Sequence, residues 1–133
     1  MKRSLAEQKK IKILVVDDEA SIRELLSDYL ETAGYLVATA KSGEEALSKA
    51  DEFLPDFLML DIILPGVDGI NVYETLRKKS SFSRIPVIFF STLGIEAVPV
   101  SFSRRIAGFP YAFVRKPIDG EFLVREVERL LKL

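Results

Sequence analysis

Five short apolar runs separate longer amphipathic stretches along this chain. The runs are rich in Val, Ile, Leu and Phe, and most are almost continuously apolar, which is typical of strands in a parallel sheet covered on both faces. The predicted strands are residues 11–16, 36–40, 57–60, 87–90 and 111–114.

Apolar positions at helical spacing predict helices between these strands. The first helix is expected to stop at Gly34. The second opens at Ser42 with a Glu three residues later, the spacing of a capping box, and stops before Pro55. A third starts near Gly69, and the last follows Asp119, a predicted N-cap.

The stretch from Ser91 to Pro110 is the least regular, because Gly and Pro interrupt it. Any helix there is expected to be short or displaced. Alternating strands and helices imply right-handed crossovers, so the predicted fold class is α/β, with a doubly wound five-stranded parallel sheet and helices on both faces.

The composition limits the reactions and ligands that this chain can support. A length of 133 residues fits one domain, and 19 basic against 20 acidic residues argue against a surface that binds nucleic acid directly. The absence of Cys and His excludes thiol nucleophiles, thiolate metal sites and imidazole chemistry. No apolar run approaches the ~20 residues that span a membrane, so we expect a cytoplasmic protein without membrane insertion. Residues 1–10 are basic and predict a solvated arm.

Polar residues follow four of the predicted strands. Ligands of such sheets bind outside the carboxyl ends of the strands. The residues at these ends are Asp17, Asp18, Glu19, Asp61, Ser91, Thr92, Arg115 and Lys116. Carboxylates gathered at one edge repel each other, and Mg²⁺, which prefers oxygen ligands, offsets that repulsion. An Asp beside a metal ion and an ammonium is a known type of nucleophile toward phosphorus.

Each of these residues has a simpler explanation when taken alone. An acidic pair after a strand is often only a favourable helix N-terminus, a hydroxyl there is usually a cap, and a Lys before Pro is usually a solvated strand end. Their occurrence together at four strand ends favours one shared site.

At these positions the chain resembles the receiver domains of two-component response regulators. The resemblance rests on ILVVDDE at 13–19, FLMLDIILPGVDG at 57–69, IPVIFFST at 85–92 and FVRKP at 113–117. Their order and separations also match. The resemblance covers residues 11–133, which would form the receiver domain after the arm of residues 1–10, and it implies a flavodoxin-like strand order 2-1-3-4-5.

The resemblance also implies roles for individual residues. Asp61 is similar to the phosphoacceptor, and Lys116 to the lysine that contacts the phosphoryl group. Asp17 and Asp18 are similar to the acidic pair that binds Mg²⁺ together with Asp61. The backbone carbonyl of Ile63 is an additional expected ligand.

Further positions match the switch and the pocket of the family. Ser91 is similar to the hydroxyl that moves toward the phosphoryl group, and Phe113 to the aromatic residue whose rotamer reports activation. Pro117 matches a residue that often follows a cis peptide bond. Thr92 is a departure, because the family usually has Ala or Gly there. Ile63 and Leu93 are apolar where flanking side chains can position hydrolytic water, which predicts slow self-dephosphorylation.

The function implied is a phosphorylation-controlled switch rather than an enzyme with an external substrate. Its expected partners are a sensor histidine kinase or phosphotransfer protein and an unidentified output protein, with homodimerisation left open. Because the last predicted helix ends at Leu133, we expect either a stand-alone regulator or a fragment of a longer one.

Three other functions stay open on the sequence alone. A pseudo-receiver would keep the fold without being phosphorylated. A dehalogenase-type phosphatase usually has a second Asp two residues after the nucleophile, and Ile63 stands there. A flavodoxin-like carrier of a flavin nucleotide would have its phosphate repelled by the carboxylates.

Overall fold

A computed structural model describes residues 10–93 and 98–132 of the chain. Five parallel strands form one sheet in the order β2-β1-β3-β4-β5. The strands are β1 (Lys12–Val16), β2 (Leu36–Ala40), β3 (Phe57–Asp61), β4 (Val87–Ser91) and β5 (Tyr111–Arg115). The predicted fold class and strand order are therefore confirmed, and each predicted strand is found within one residue at either end.

In the described part of the chain, four helices connect successive strands, and a fifth follows the last strand. They are α1 (Ala20–Thr32), α2 (Gly43–Phe53), α3 (Gly69–Arg77), α4 (Val100–Ile106) and α5 (Gly120–Leu131), with one 3₁₀ turn at Ser80–Phe82. The predicted irregularity after Ser91 is confirmed, since α4 has only seven residues. Residues 1–9, most of the predicted arm, lie outside the described residues.

The helix boundaries follow the signals in the sequence. Gly34 has a φ of +103°, which L-residues rarely adopt, and it follows the end of α1. Ser42 accepts a hydrogen bond from the backbone N–H of Glu45, while the Glu45 carboxylate accepts from the backbone N–H of Lys41, one residue earlier than a capping box requires. Asp119 accepts from the backbone N–H of Phe122 and caps α5.

Alternating side chains of the strands form two cores, one on each face of the sheet. On one face, Leu58 and Phe89 pack with α2, α3 and α4; on the other, Met59 and Phe90 pack with α1 and α5. The central strands β3 and β4 are buried at every position. The edge strands β2 and β5 are partly exposed. This covered sheet is a rigid base for the residues at its carboxyl edge.

None of the helices in the two described ranges is long and apolar enough to cross a membrane.

Candidate functional site

The sheet brings four of the predicted site residues to one edge. Asp61 and Ser91 are the last residues of β3 and β4, while Asp17 and Lys116 directly follow β1 and β5. Because all four strands run parallel, their carboxyl ends share this edge. The backbone N–H of Lys116 donates to the Ser91 carbonyl at 2.8 Å, which fixes the last two strand ends side by side.

Lys116 is the centre of the site. Its ammonium donates a hydrogen bond of 3.0 Å to Asp61 Oδ2 and lies 2.8 Å from Asp17 Oδ2. Glu19 Oε1 is 3.9 Å away. The side chain is only 10% exposed and packs its ammonium 5.4 Å from the centroid of the Phe90 ring. One ammonium thus bridges two carboxylates that would otherwise repel each other.

Asp17 is completely buried. Its Oδ1 accepts a hydrogen bond of 2.8 Å from the backbone N–H of Glu19. Its backbone carbonyl accepts one of 2.9 Å from the Arg23 guanidinium. Oδ2 is buried and forms the ion pair with the Lys116 ammonium, 2.8 Å away. A buried carboxylate needs a cationic partner, and Asp17 shares that of Lys116 with Asp61.

The sequence pattern does not single out Arg23. It marks Glu19 only as one of the polar residues that follow the first strand. Arg23 lies one turn after Glu19, at the start of a helix whose N-terminus faces the site, and that position is the only signal that could have found it. The Arg23 guanidinium anchors the backbone on which Asp17 is presented.

Asp61 is 5% exposed, and its Oδ1 accepts a hydrogen bond of 3.0 Å from the backbone N–H of Ile63. Burial raises the pKa of Asp61 to about 6, although the Lys116 ammonium and the Ile63 N–H partly oppose this and Asp17 adds to it. Burial alone would lower the pKa of Lys116, but Asp17 and Asp61 outweigh it and raise that pKa.

The three aspartates can hold a metal ion together. Asp17, Asp18 and Asp61 each offer a carboxylate oxygen, and these oxygens lie within 4.8 Å of one another. Asp18 is exposed, whereas the other two are buried. An all-carboxylate donor set with a solvent-facing side suits Mg²⁺, which usually keeps several waters. The Lys116 ammonium contacts Asp17 and Asp61, so three carboxylates share one nearby ammonium, and the negative charge that remains supports this fit.

Gly69 lets α3 begin close to the site. A Cβ at this position would overlap the backbone carbonyl oxygen of Asp61, so no larger residue fits without moving the helix. The Gly69 N–H donates to the Ile62 carbonyl at 3.0 Å, which closes the loop after β3. This loop keeps Ile63 beside the Asp61 carboxylate.

The predicted switch and pocket residues differ in burial and in their contacts. Ser91 is buried, and its Oγ accepts a hydrogen bond of 3.1 Å from the Leu93 N–H. Thr92 is exposed. Phe113 lies on β5 and is partly buried, with its ring stacked on that of Phe89 at a centroid distance of 5.2 Å. The peptide bond before Pro117 is cis, as the resemblance implied.

Comparisons with known proteins agree with this geometry. The family model described as "Response regulator receiver domain" matches residues 13–128. The transcriptional regulatory protein ResD of Bacillus subtilis is 39% identical over 124 residues, covering 91% of this chain and 48% of ResD. The probable transcriptional regulator ycf27 of Pyropia yezoensis is 47% identical over 129 residues, or 95% of this chain and 49% of that protein.

Solved structures show the same likeness. The chemotaxis protein CheY4 of Vibrio cholerae superposes with a TM-score of 0.81 at 29% identity, covering 92% of this chain and 99% of CheY4. The chain spans about half the length of the curated relatives named above. The matched family model, the relatives and the acidic edge agree, and the chain belongs to the response regulator receiver domains of two-component systems.

Proposed function

We propose that this domain accepts a phosphoryl group on Asp61 in a Mg²⁺-dependent reaction and thereby switches a surface that binds a partner protein. The observation that carries the proposal is the contact of one ammonium, that of Lys116, with both Asp17 and Asp61 at a buried edge lined by a third aspartate. A sensor histidine kinase or phosphotransfer protein would supply the phosphoryl group.

Asp17, Asp18 and Asp61 would hold the ion, with the Ile63 carbonyl as an additional ligand. Bound Mg²⁺ supplies positive charge that neutralises phosphoryl oxygens during transfer. The chain's own contribution is to position the Asp61 carboxylate. With a pKa of about 6, Asp61 is mostly a carboxylate at pH 7, and the Ile63 N–H holds one of its oxygens in place.

In the transfer step, a carboxylate oxygen of Asp61 forms a bond to phosphorus, and the bond between phosphorus and the donor breaks. The donor atom is a nitrogen of a phosphohistidine or an oxygen of acetyl phosphate, and it leaves with the bonding electron pair. The Lys116 ammonium is fixed near the Asp61 carboxylate, so it would stabilise the negative charge that builds up on the phosphoryl oxygens.

The direct test is incubation with acetyl phosphate and Mg²⁺, followed by intact mass measurement. We expect a mass gain of one phosphoryl group that disappears when EDTA replaces Mg²⁺. No gain, either from acetyl phosphate or from any sensor kinase tried, would support the pseudo-receiver function instead. Turnover of a generic phosphate ester would support an enzyme.

Self-dephosphorylation is expected to be slow. The side chains of Ile63 and Leu93 are 53% and 49% exposed near Asp61 and Ser91, and they offer no hydrogen bond to an attacking water. Ile63→Asn adds such a group, and one hydrogen bond in the transition state is worth about a tenfold gain in rate. The measurement is the loss of phosphoryl mass over time after the donor is removed.

Ile63→Val is the matched control, since it changes the size of the side chain without adding a polar group. It is expected to leave the dephosphorylation rate within about twofold of the original. A wild-type phosphoprotein that loses its label rapidly, or an Ile63→Asn variant no faster than the Ile63→Val variant, would contradict this account.

The switch would begin at Ser91. Phosphorylation adds about −1.5 to −2 charges and strong acceptor oxygens at Asp61. Ser91 Oγ would leave the Leu93 N–H and move toward these oxygens to donate to them, and Phe113, now stacked on Phe89, would fill the space that Ser91 leaves. Local changes of this kind bias two packings of similar free energy. A structure with a phosphoryl mimic in which Ser91 and Phe113 are unmoved would contradict this switch.

A further inference from the structure

Positive charge is concentrated in one part of this nearly neutral chain. Residues 75–110 contain six basic residues and a single acidic residue, Glu96. Since the whole chain has 19 basic and 20 acidic residues, the remainder has 13 basic and 19 acidic ones. The six basic residues are Arg77, Lys78, Lys79, Arg84, Arg104 and Arg105, which we call the basic patch.

The fold brings this patch to the edge opposite the aspartates. Helices α3 and α4 both start near the carboxyl edge of the sheet and return to its amino edge, where the patch residues of each lie in or just after the last turn. Arg84 lies just before β4 and contacts the α4–β5 connection, where it donates to the Gly108 carbonyl at 3.4 Å. The basic residues at 77–84 and those at 104–105, far apart in sequence, thus lie on one surface.

Aromatic rings hold two of the guanidinium groups. The Arg77 guanidinium lies 3.8 Å from the centroid of the Phe109 ring, and that of Arg84 lies 4.9 Å from it. Arg77 is also 5.4 Å from the centroid of Tyr73. Stacking of this kind reduces the mobility of an Arg without satisfying its N–H donors. The buried Nε of Arg77 has no hydrogen-bond partner among the described residues.

The patch contains a cleft suited to carboxylates. Arg77, Lys78 and Arg105 line a volume of about 320 Å³ together with Glu74. Arg105 already binds a carboxylate there, with its Nη2 at 2.6 Å and its Nε at 2.8 Å from Glu74 Oε2. In the described ranges, no carboxylate lies within 4.0 Å of a nitrogen of Arg77 or Lys78. Cationic donors therefore remain for a second acidic group.

We propose that the basic patch is a second binding surface, distinct from the phosphorylation site, and that its partner is an acidic segment of another protein. The patch is local, and the rest of the domain is negative. A nucleic acid or an anionic membrane would extend beyond the patch and meet repulsion from that remainder. A short run of Glu and Asp would contact only the patch, and its carboxylates suit the fork of an Arg side chain.

The test is fluorescence anisotropy at low salt with a labelled hexaglutamate peptide and the full chain. We expect saturable binding that weakens as salt is raised. Lys78→Gln combined with Arg105→Gln should lower the affinity at least tenfold, since both side chains line the cleft and are exposed. Lys41→Gln combined with Arg125→Gln removes the same charge from distant exposed positions and should change the affinity less than twofold.

Circular dichroism and phosphoryl uptake from acetyl phosphate check that both double variants are folded. Equal losses of affinity in the two variants would overturn the proposal, because general electrostatics would then explain the binding. Equally strong binding of a hexaglutamine peptide would also overturn it. So would binding to a DNA duplex or to phosphatidylserine vesicles when the acidic peptide does not bind.

Discussion

Asp61→Asn is expected to abolish phosphoryl uptake. The amide is nearly isosteric with the carboxylate but is a far weaker nucleophile, so the mass gain from acetyl phosphate and Mg²⁺ should fall below detection. Asp51→Asn is the matched control: it makes the same chemical change at an exposed position on α2, where Asp51 pairs with Lys79 alone among the residues that the structure describes. That variant should be labelled like the original protein. Full labelling of the Asp61→Asn variant would mean that the acceptor lies elsewhere.

Asp61→Asn is also expected to change the free energy of unfolding in a pH-dependent way, and measuring that change shows whether the variant is folded. A folded-state pKa raised from 3.8 to about 6 means that the folded protein binds the proton of Asp61 more tightly than the unfolded chain does. The wild type therefore loses stability relative to the Asp61→Asn variant as the pH rises from about 4 to about 6. The difference should reach roughly 1 kcal/mol in metal-free protein after allowance for solvent screening.

Denaturant unfolding at pH 4 and pH 7.5, with EDTA present, measures this difference. The two proteins should be about equally stable at the lower pH, where the carboxyl group of the wild type is largely protonated in the folded state. A variant that is less stable than the wild type at pH 7.5 would mean that the negative charge of Asp61 stabilises the fold.

Lys116→Gln is expected to slow phosphoryl uptake by about 10²- to 10³-fold, the usual effect of removing one preorganised donor to a developing negative charge. Glutamine keeps some length and polarity but no charge. Arg115→Gln is the control, because Arg115 is the adjacent residue and is exposed. Its uptake rate should stay within about twofold of the original. A Lys116→Gln rate within about threefold of the original would contradict the role given to this ammonium.

A second measurement separates lost charge from lost structure. Without Lys116, the buried carboxylates of Asp17 and Asp61 face each other uncompensated, so metal-free protein should melt at a lower temperature. Added Mg²⁺ should restore more stability to this variant than to the wild type, because the ion replaces the missing positive charge. A general packing defect would show no such dependence on Mg²⁺.

Much of the fold could be predicted because local signals and global structure agree. The continuously apolar runs became β1, β3 and β4, and residues such as Gly34 and Asp119 mark helix ends through their own backbone and side-chain chemistry. The capping box predicted at Ser42 is only half formed: Ser42 accepts from the Glu45 N–H, but the Glu45 carboxylate accepts from the N–H of Lys41 instead of that of Ser42. That choice depends on the path of the chain before the helix, which spacing does not reveal.

The candidate site could be located for a similar reason. In a parallel sheet, residues that follow different strands must share one edge, so Asp17, Asp61 and Lys116 could be grouped without coordinates. The sequence did not reveal how Lys116 divides its contacts between two carboxylates, nor that the guanidinium of Arg23 anchors the backbone of Asp17. Both depend on side-chain directions that only packing fixes.

By itself, the sequence determined the α/β class, the five strands and the acidic edge, because hydrophobic periodicity and strand-end chemistry act locally. Tertiary structure alone decided the stacking of Phe113 on Phe89 and the meeting of Arg77 with Phe109. Along the chain, the basic residues near 80 and those near 105 are separated by β4. They form one surface only because α3 and α4 return to the same edge of the sheet. A local sequence pattern does not predict which distant elements come together.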